Sequence, residues 1–239
     1  MLVHWQRGFS LAEMAIVLVI VGVLMASGLG ALSSQMSNQR LKETKQMLER
    51  ANEALIGFAL ANNRLPCPAD SAGLEARHSS GANMNRCVSA YGDLPWQSLG
   101  LPELDSWGRR LKYQVTAYPV VSGVKDDLAG IDLTSTPNCG LAAVKPCFGL
   151  EDAGNISVFS ASSRDGNPVT ARKLVSDAAA VIFSEGPNGA GTSEDELENR
   201  GLTAKEFVQD TPDSNFDDIL VWLPTTQLMY RLATAERLP

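Results

Sequence analysis

The chemistry most open to this sequence belongs to one carboxylate, Glu13. Glu13 stands at the front of a run, Met14 to Leu32, that carries no charge over 19 residues. At about 1.5 Å rise per helical residue the run covers roughly 28 Å, one hydrocarbon core. A carboxylate inside a bilayer costs up to about 3 kcal/mol on insertion scales and is a functional residue by default. A cut between Gly8 and Phe9 would create an α-amino group with a pKa near about 8, four residues before Glu13. A buried Glu13 can pair with the Phe9 amine of a neighbouring copy. Removing either charge leaves the other unpaired in lipid, so the pair favours polymers in one register. Two other readings leave Glu13 unexplained. A secretory signal has an apolar region of only about 7–15 residues, and a plain anchor accounts for the span but not for the acid. Arg7 precedes the run and orients the N-terminus toward the cytoplasm.

Other chemistries find little support. Only two histidines occur, His4 and His78, so a catalytic triad or a multi-histidine zinc site would have to be built around His78. His78 reads as a solvated loop residue in "EARHSSGANMN". No Gly-rich phosphate loop with a Lys-Ser/Thr pair precedes a helix. The net charge of -7 argues against nucleic acid, whose partners leave a basic footprint. The chain therefore reads as a non-enzyme without a cofactor. Cys67, Cys87, Cys139 and Cys147 allow three pairings. In an oxidising compartment the sequential bridges Cys67–Cys87 and Cys139–Cys147 are expected, each closing a Gly/Pro-rich loop. A zinc site is the alternative, but the cysteines lack paired C-x-x-C spacing.

The stretch "RGFSLAEMAIVLVIVGVLMA" resembles the class III leader of type IV pilins and type II secretion pseudopilins. Gly8, Phe9 and Glu13 match that pattern position by position. Gly30 stands where many members carry a proline. The resemblance implies cleavage by prepilin peptidase after Gly8 and N-methylation of Phe9. It also implies assembly through Glu13 with other pilin or pseudopilin subunits on an inner-membrane platform. Patches of the head, among them "LPCPAD", "EGPNG" and "DDILVWLP", resemble large pilin-like proteins more loosely.

The elements that would hold these residues follow from periodicity. The resemblance makes residues 1–8 a leader; 9–32 read as the transmembrane half of a helix and 33–63 as its amphipathic half. Leu41, Leu48 and Leu55 recur every seven residues, with Thr44, Ala51 and Phe58 in the adjoining row. Asn62-Asn63 suits a left-handed stop, and Pro66 and Pro68 forbid continuation. Residues 64–239 then form a periplasmic head. Loops rich in Gly, Ser, Asn and Pro fill 69–108. Strands are predicted in "RRLKYQVTAY" and over 156–162, 178–186 and 217–224. A closing helix is predicted with Thr225 as its cap and Leu228, Met229, Leu232 and Ala235 inward. A helix followed by strands without βαβ alternation indicates an α+β, pilin-like fold, the long helix packed on an antiparallel β-sheet.

Major pseudopilins are known for a calcium site in the loop before the last strand, where this chain has Asp213, Asp217 and Asp218. A solvated acidic loop is the competing reading. A head of about 175 residues is large for a major subunit. The expectation is thus a single-pass inner-membrane protein and a minor subunit of a type IV pilus or type II secretion pseudopilus. The competing expectation is a membrane-anchored extracytoplasmic enzyme or ligand-binding domain with a pilin-like anchor.

Overall fold

The computed structural model describes residues 10–80, 86–117, 133–134, 153–160, 172–189, 191, 193–200, 205–213 and 215–238, the side chains at 25–33 excepted. Gly8, Phe9, Cys139 and Cys147 lie outside the described residues. The chain divides into two compact units, Met1–Lys42 and Glu43–Pro239.

Helix α1 runs Leu11–Asn62. In the first unit its large apolar side chains, Ile16, Leu18, Val19 and Leu24 among them, are exposed. A helix apolar on every side suits lipid or a bundle of other helices. Among the described residues no helix is long and apolar enough to cross a membrane. The described side chains stop at Leu24 and resume at Ser34, so they cover only part of the run read from the sequence. In the second unit the expected stripe is present. Leu48, Ala51 and Leu55 are fully buried, with Ile56 and Ala59 beside them. Thr44 is buried at the stripe's polar start, while Glu49, Arg50 and Glu53 face outward. Asn63 takes the left-handed conformation (φ 54°) and its N–H donates to the Ala59 carbonyl at 2.8 Å. That ends the helix where its sequence predicts.

Six described strands form one sheet: β1 (Tyr91–Asp93), β2 (Lys112–Val115), β3 (Ile156–Phe159), β4 (Lys173–Ser184), β5 (Glu206–Val208) and β6 (Ile219–Pro224). Among the described residues three short helices accompany them: α2 (Trp96–Leu99), α3 (Glu194–Asn199) and α4 (Thr225–Thr234). The order is β1-β2-β4-β3-β5, with β6 also paired to β4. All pairs are antiparallel except β3 with β5. The chain leaves β4, passes through α3 and skips over β3 to reach the far edge, which makes β5 parallel to β3. The sheet is therefore mixed, within an α+β pilin-like arrangement.

β4 begins five residues earlier than the predicted 178–186. Its first half, Lys173–Asp177, is largely exposed and shows no apolar run, yet pairs with β3. From Ala178 to Ser184 every residue is buried, because β2 flanks one edge and β6 the other. The core gathers there: Ile156, Val158, Val181, Phe183, Phe207 and Leu220. In β2 the predicted inward row Leu111, Tyr113, Val115 and Ala117 is buried, but so are Gln114 and Thr116, since both faces are covered. Thr225 is the first residue of α4 and not its cap. Its hydroxyl donates to the Asp177 carbonyl and accepts from the Gly154 N–H, which ties the helix start to β4. Leu228, Met229 and Leu232 are buried as predicted; Ala235 is exposed, because α4 has ended at Thr234.

Cys67 and Cys87 form a disulfide with Cα atoms 5.3 Å apart. Beside it, the Arg64 guanidinium meets Glu75 at 2.7 Å and lies 5.0 Å over the Phe58 ring. The loop thus folds back on the end of α1. The bridge closes a loop of 20 residues. On the loop-entropy scale, Cys67→Ser should lower unfolding stability by about 3 kcal/mol. Denaturant titration of the oxidised protein and the variant checks this.

Candidate functional site

At the start of α1 two residues close on each other. Ser10 precedes the first helical residue, and Glu13 sits in the first turn. The Ser10 backbone N–H donates to Glu13 Oε2 at 2.8 Å, and the Glu13 N–H donates to Ser10 Oγ at 3.2 Å. This is a capping box, in which two of the donors orphaned at a helix start are satisfied reciprocally. The first backbone bond of the helix follows, from the Met14 N–H to the Ser10 carbonyl at 3.2 Å. Both side chains are exposed. Sequence reasoning assigned Glu13 to assembly and overlooked Ser10. The S-x-x-E spacing just ahead of an apolar run carried the signal.

The family described as "Prokaryotic N-terminal methylation motif" matches residues 6–29, a span that contains Gly8, Phe9, Ser10 and Glu13. The match is confined to this N-terminal segment and supports a likeness to the class III prepilin leader of type IV pilins and pseudopilins. Neither the curated proteins nor the solved structures give a match.

A second group of titratable residues lies far along the chain from the leader. Glu196 of α3 is 1% exposed, and Asp218, just before β6, is 5% exposed. With Asp217 they bring carboxylate oxygens within 4.8 Å of one another. Neighbouring amides hold each in place. Glu196 Oε1 accepts from the Asp217 N–H at 3.0 Å and from Asn188 Nδ2 at 3.2 Å. The Asn188 N–H donates to Asp217 Oδ2 at 2.7 Å. Asn199 Nδ2 donates to Asp218 Oδ2 at 2.8 Å, and Asn199 Oδ1 accepts from the Val208 N–H at 2.7 Å. Asn199 thereby ties α3 to β5 and to the entry of β6. Helix α3 has no apolar run that would mark it as a helix in the sequence. Its sequence is acidic throughout, but the Ser193 hydroxyl accepts from the Glu196 N–H and caps it.

Sequence reasoning placed Asp213, Asp217 and Asp218 together. The structure separates Asp213, whose carboxylate accepts from the Asn215 and Phe216 N–H groups of its own turn. Glu196 takes its place in the cluster. Carboxylates are the donors hard cations prefer; calcium takes six to eight oxygens, and of the six that these three side chains carry, Glu196 Oε1, Asp217 Oδ2 and Asp218 Oδ2 already accept from amides. His78 is half-buried rather than solvated, and its N–H donates to the Arg86 carbonyl at 2.9 Å.

Burial pushes the Asp218 carboxyl up to about 7, and the neighbouring Glu196 and Asp217 charges push the same way against Asn199 and Arg200. Burial also raises Asp217. Asp218 lines a cavity of about 220 Å³ with Lys45, Glu49 and Asp210, so α1 supplies charges of both signs. Since the folded pKa lies above the ordinary carboxyl value, folding takes up a proton between about pH 4 and about pH 7. Stability should fall as pH rises through that window and level off above it. Asp218→Asn should flatten the slope. Denaturant midpoints from pH 4 to pH 8, in buffer containing a chelator, check both expectations.

Proposed function

We propose that this protein is a structural subunit of a type IV pilus or type II secretion pseudopilus, and a minor one. Prepilin peptidase cuts it between Gly8 and Phe9 and methylates the new amine. The apolar half of α1 anchors it in the inner membrane with the head in the periplasm. An assembly platform then moves it into a filament with other pilin-like subunits. The methylation motif at residues 6–29 carries this reading, with Glu13 in the first turn of the helix that follows.

The physical logic is a burial that requires a partner. Glu13 in an apolar helix bundle is costly alone, and so is a cationic terminus. Together they satisfy one another at a single stagger between neighbouring helices. The exposed apolar side chains of the first unit supply non-directional contact, while the charge pair selects the register.

Expression in cells with and without prepilin peptidase tests the reading. The peptidase should shorten the protein by the residues up to Gly8, and the shortened form alone should enter sheared filament fractions. A chain of unchanged length in both strains would refute it.

A further inference from the structure

The loop that follows β4 holds the one Asn-Gly pair of the sequence, Asn188–Gly189. Asparagine before glycine readily loses its side-chain amide, because no Cβ shields the glycine nitrogen from the neighbouring carbonyl carbon. We propose that Asn188 is a deamidation site that the fold keeps closed, and that its conversion to a carboxylate prevents the loop from docking back on Glu196.

The reaction balances with water as its co-reactant. The Gly189 backbone nitrogen attacks Asn188 Cγ with its lone pair and closes a cyclic imide. The Cγ–Nδ2 bond breaks, and the proton lost by Gly189 leaves with that nitrogen as ammonia. Water then opens the imide at either carbonyl, which gives an aspartate or an isoaspartate. Asn188 is exposed, so water reaches it.

The folded loop opposes the first step at both reacting nitrogens. The Gly189 N–H, on the nucleophile, donates to the Glu185 carbonyl at 3.1 Å. Asn188 Nδ2, the leaving group, donates to Glu196 Oε1 at 3.2 Å. The peptide groups around them are pinned as well. Arg109 Nη2 donates to the Pro187 carbonyl at 3.0 Å, the Asn188 N–H to Asp217 Oδ2 at 2.7 Å, and Arg200 Nη2 to the Gly189 carbonyl. Arg200 Nη2 also meets Glu185 Oε1 at 2.9 Å. Gly189 has φ 60°, and the Arg109 guanidinium occupies the space a Cβ would need there. Ring closure must break the bonds at Gly189 and at Asn188 together, so it proceeds from an opened loop. The product does not fit the place it left. A carboxylate at 188 has no proton to donate to Glu196 Oε1, and it adds a negative charge beside Glu196, Asp217 and Asp218. Conversion is therefore a one-way record of loop opening.

The test follows the full chain in detergent, folded and in urea, at one neutral pH and one temperature. The peptide spanning 188 and 189 is isolated at intervals, and its mass reports replacement of the side-chain NH2 by OH. Conversion in the folded chain should be at least about tenfold slower than in urea, since reaction waits on loop opening. Equal rates in the two conditions overturn the proposal, and so does a chain that stays unconverted in urea. Two variants test the second half. Asn188→Asp stands for the product, and Asn188→Ala removes the donor without adding charge. Asn188→Asp should melt lower than Asn188→Ala by about 3 °C or more. Equal melting of the two would mean that the docked loop accepts the carboxylate, and it would overturn the one-way step.

Discussion

Glu13→Ala should leave the protein in the membrane and keep it out of filaments. Removing a carboxylate from the front of an apolar helix makes insertion easier, by up to about 3 kcal/mol on insertion scales. Alkaline extraction should therefore find the variant membrane-bound at least as completely as the native chain. Assembly should respond in the opposite sense. The Phe9 amine of each neighbour would then be buried without its anion, and breaking one side of a buried pair costs about 3–5 kcal/mol. That corresponds to a loss of incorporation of roughly a hundredfold or more. The two readouts separate the roles of lipid anchor and filament subunit, since a plain anchor gains from the substitution and loses nothing. Incorporation of the variant at the native level contradicts the pairing.

Phe183→Ala should be the most damaging single change in the head. Phe183 is fully buried in β4, the strand that pairs with both β2 and β6. Its ring lies 6.0 Å from Phe207 of β5 and 6.5 Å from Tyr91 of β1, so it joins strands at opposite edges of the sheet. Truncation loses the transfer energy of the ring and leaves a cavity that paired strands cannot collapse into, about 3–5 kcal/mol in all. In a head of this size the melting temperature should fall by roughly 10 °C. Phe183→Leu should cost markedly less, because most of the volume is kept. Thermal melts of the detergent-solubilised chain, followed by tryptophan fluorescence, check both values. Equal melting of Phe183→Ala and the native protein would place the core elsewhere.

Where the sequence could be read, one physical signal acted alone over a sufficient length. The stripe Thr44, Leu48, Ala51 and Leu55 repeats over enough turns for its period to show. Leu111, Tyr113 and Val115 alternate cleanly, and Asn63 followed by prolines marks the helix end. The N-terminal methylation motif at residues 6–29 is legible because it is read by its residues rather than by its fold. Short elements were not legible. β5 has three residues, too few to display alternation, and owes its place to Asn199 and the neighbouring β3. The first half of β4 has no apolar run, since only its pairing with β3 makes it a strand. Glu196 joined the acidic cluster from a helix 21 residues away from Asp217, a distance over which spacing carries no information. Ser10 was hidden differently. The lipid reading of its neighbour Glu13 masks a local one, a bond back to the start of its own helix.

The central claim is that a new cationic terminus at Phe9 makes Glu13 useful. Intact-mass and N-terminal analysis of protein extracted from native membranes tests it most directly. The account predicts a chain that begins at Phe9 and carries one added methyl group. A chain that still begins at Met1, or one that begins beyond Leu32, contradicts it.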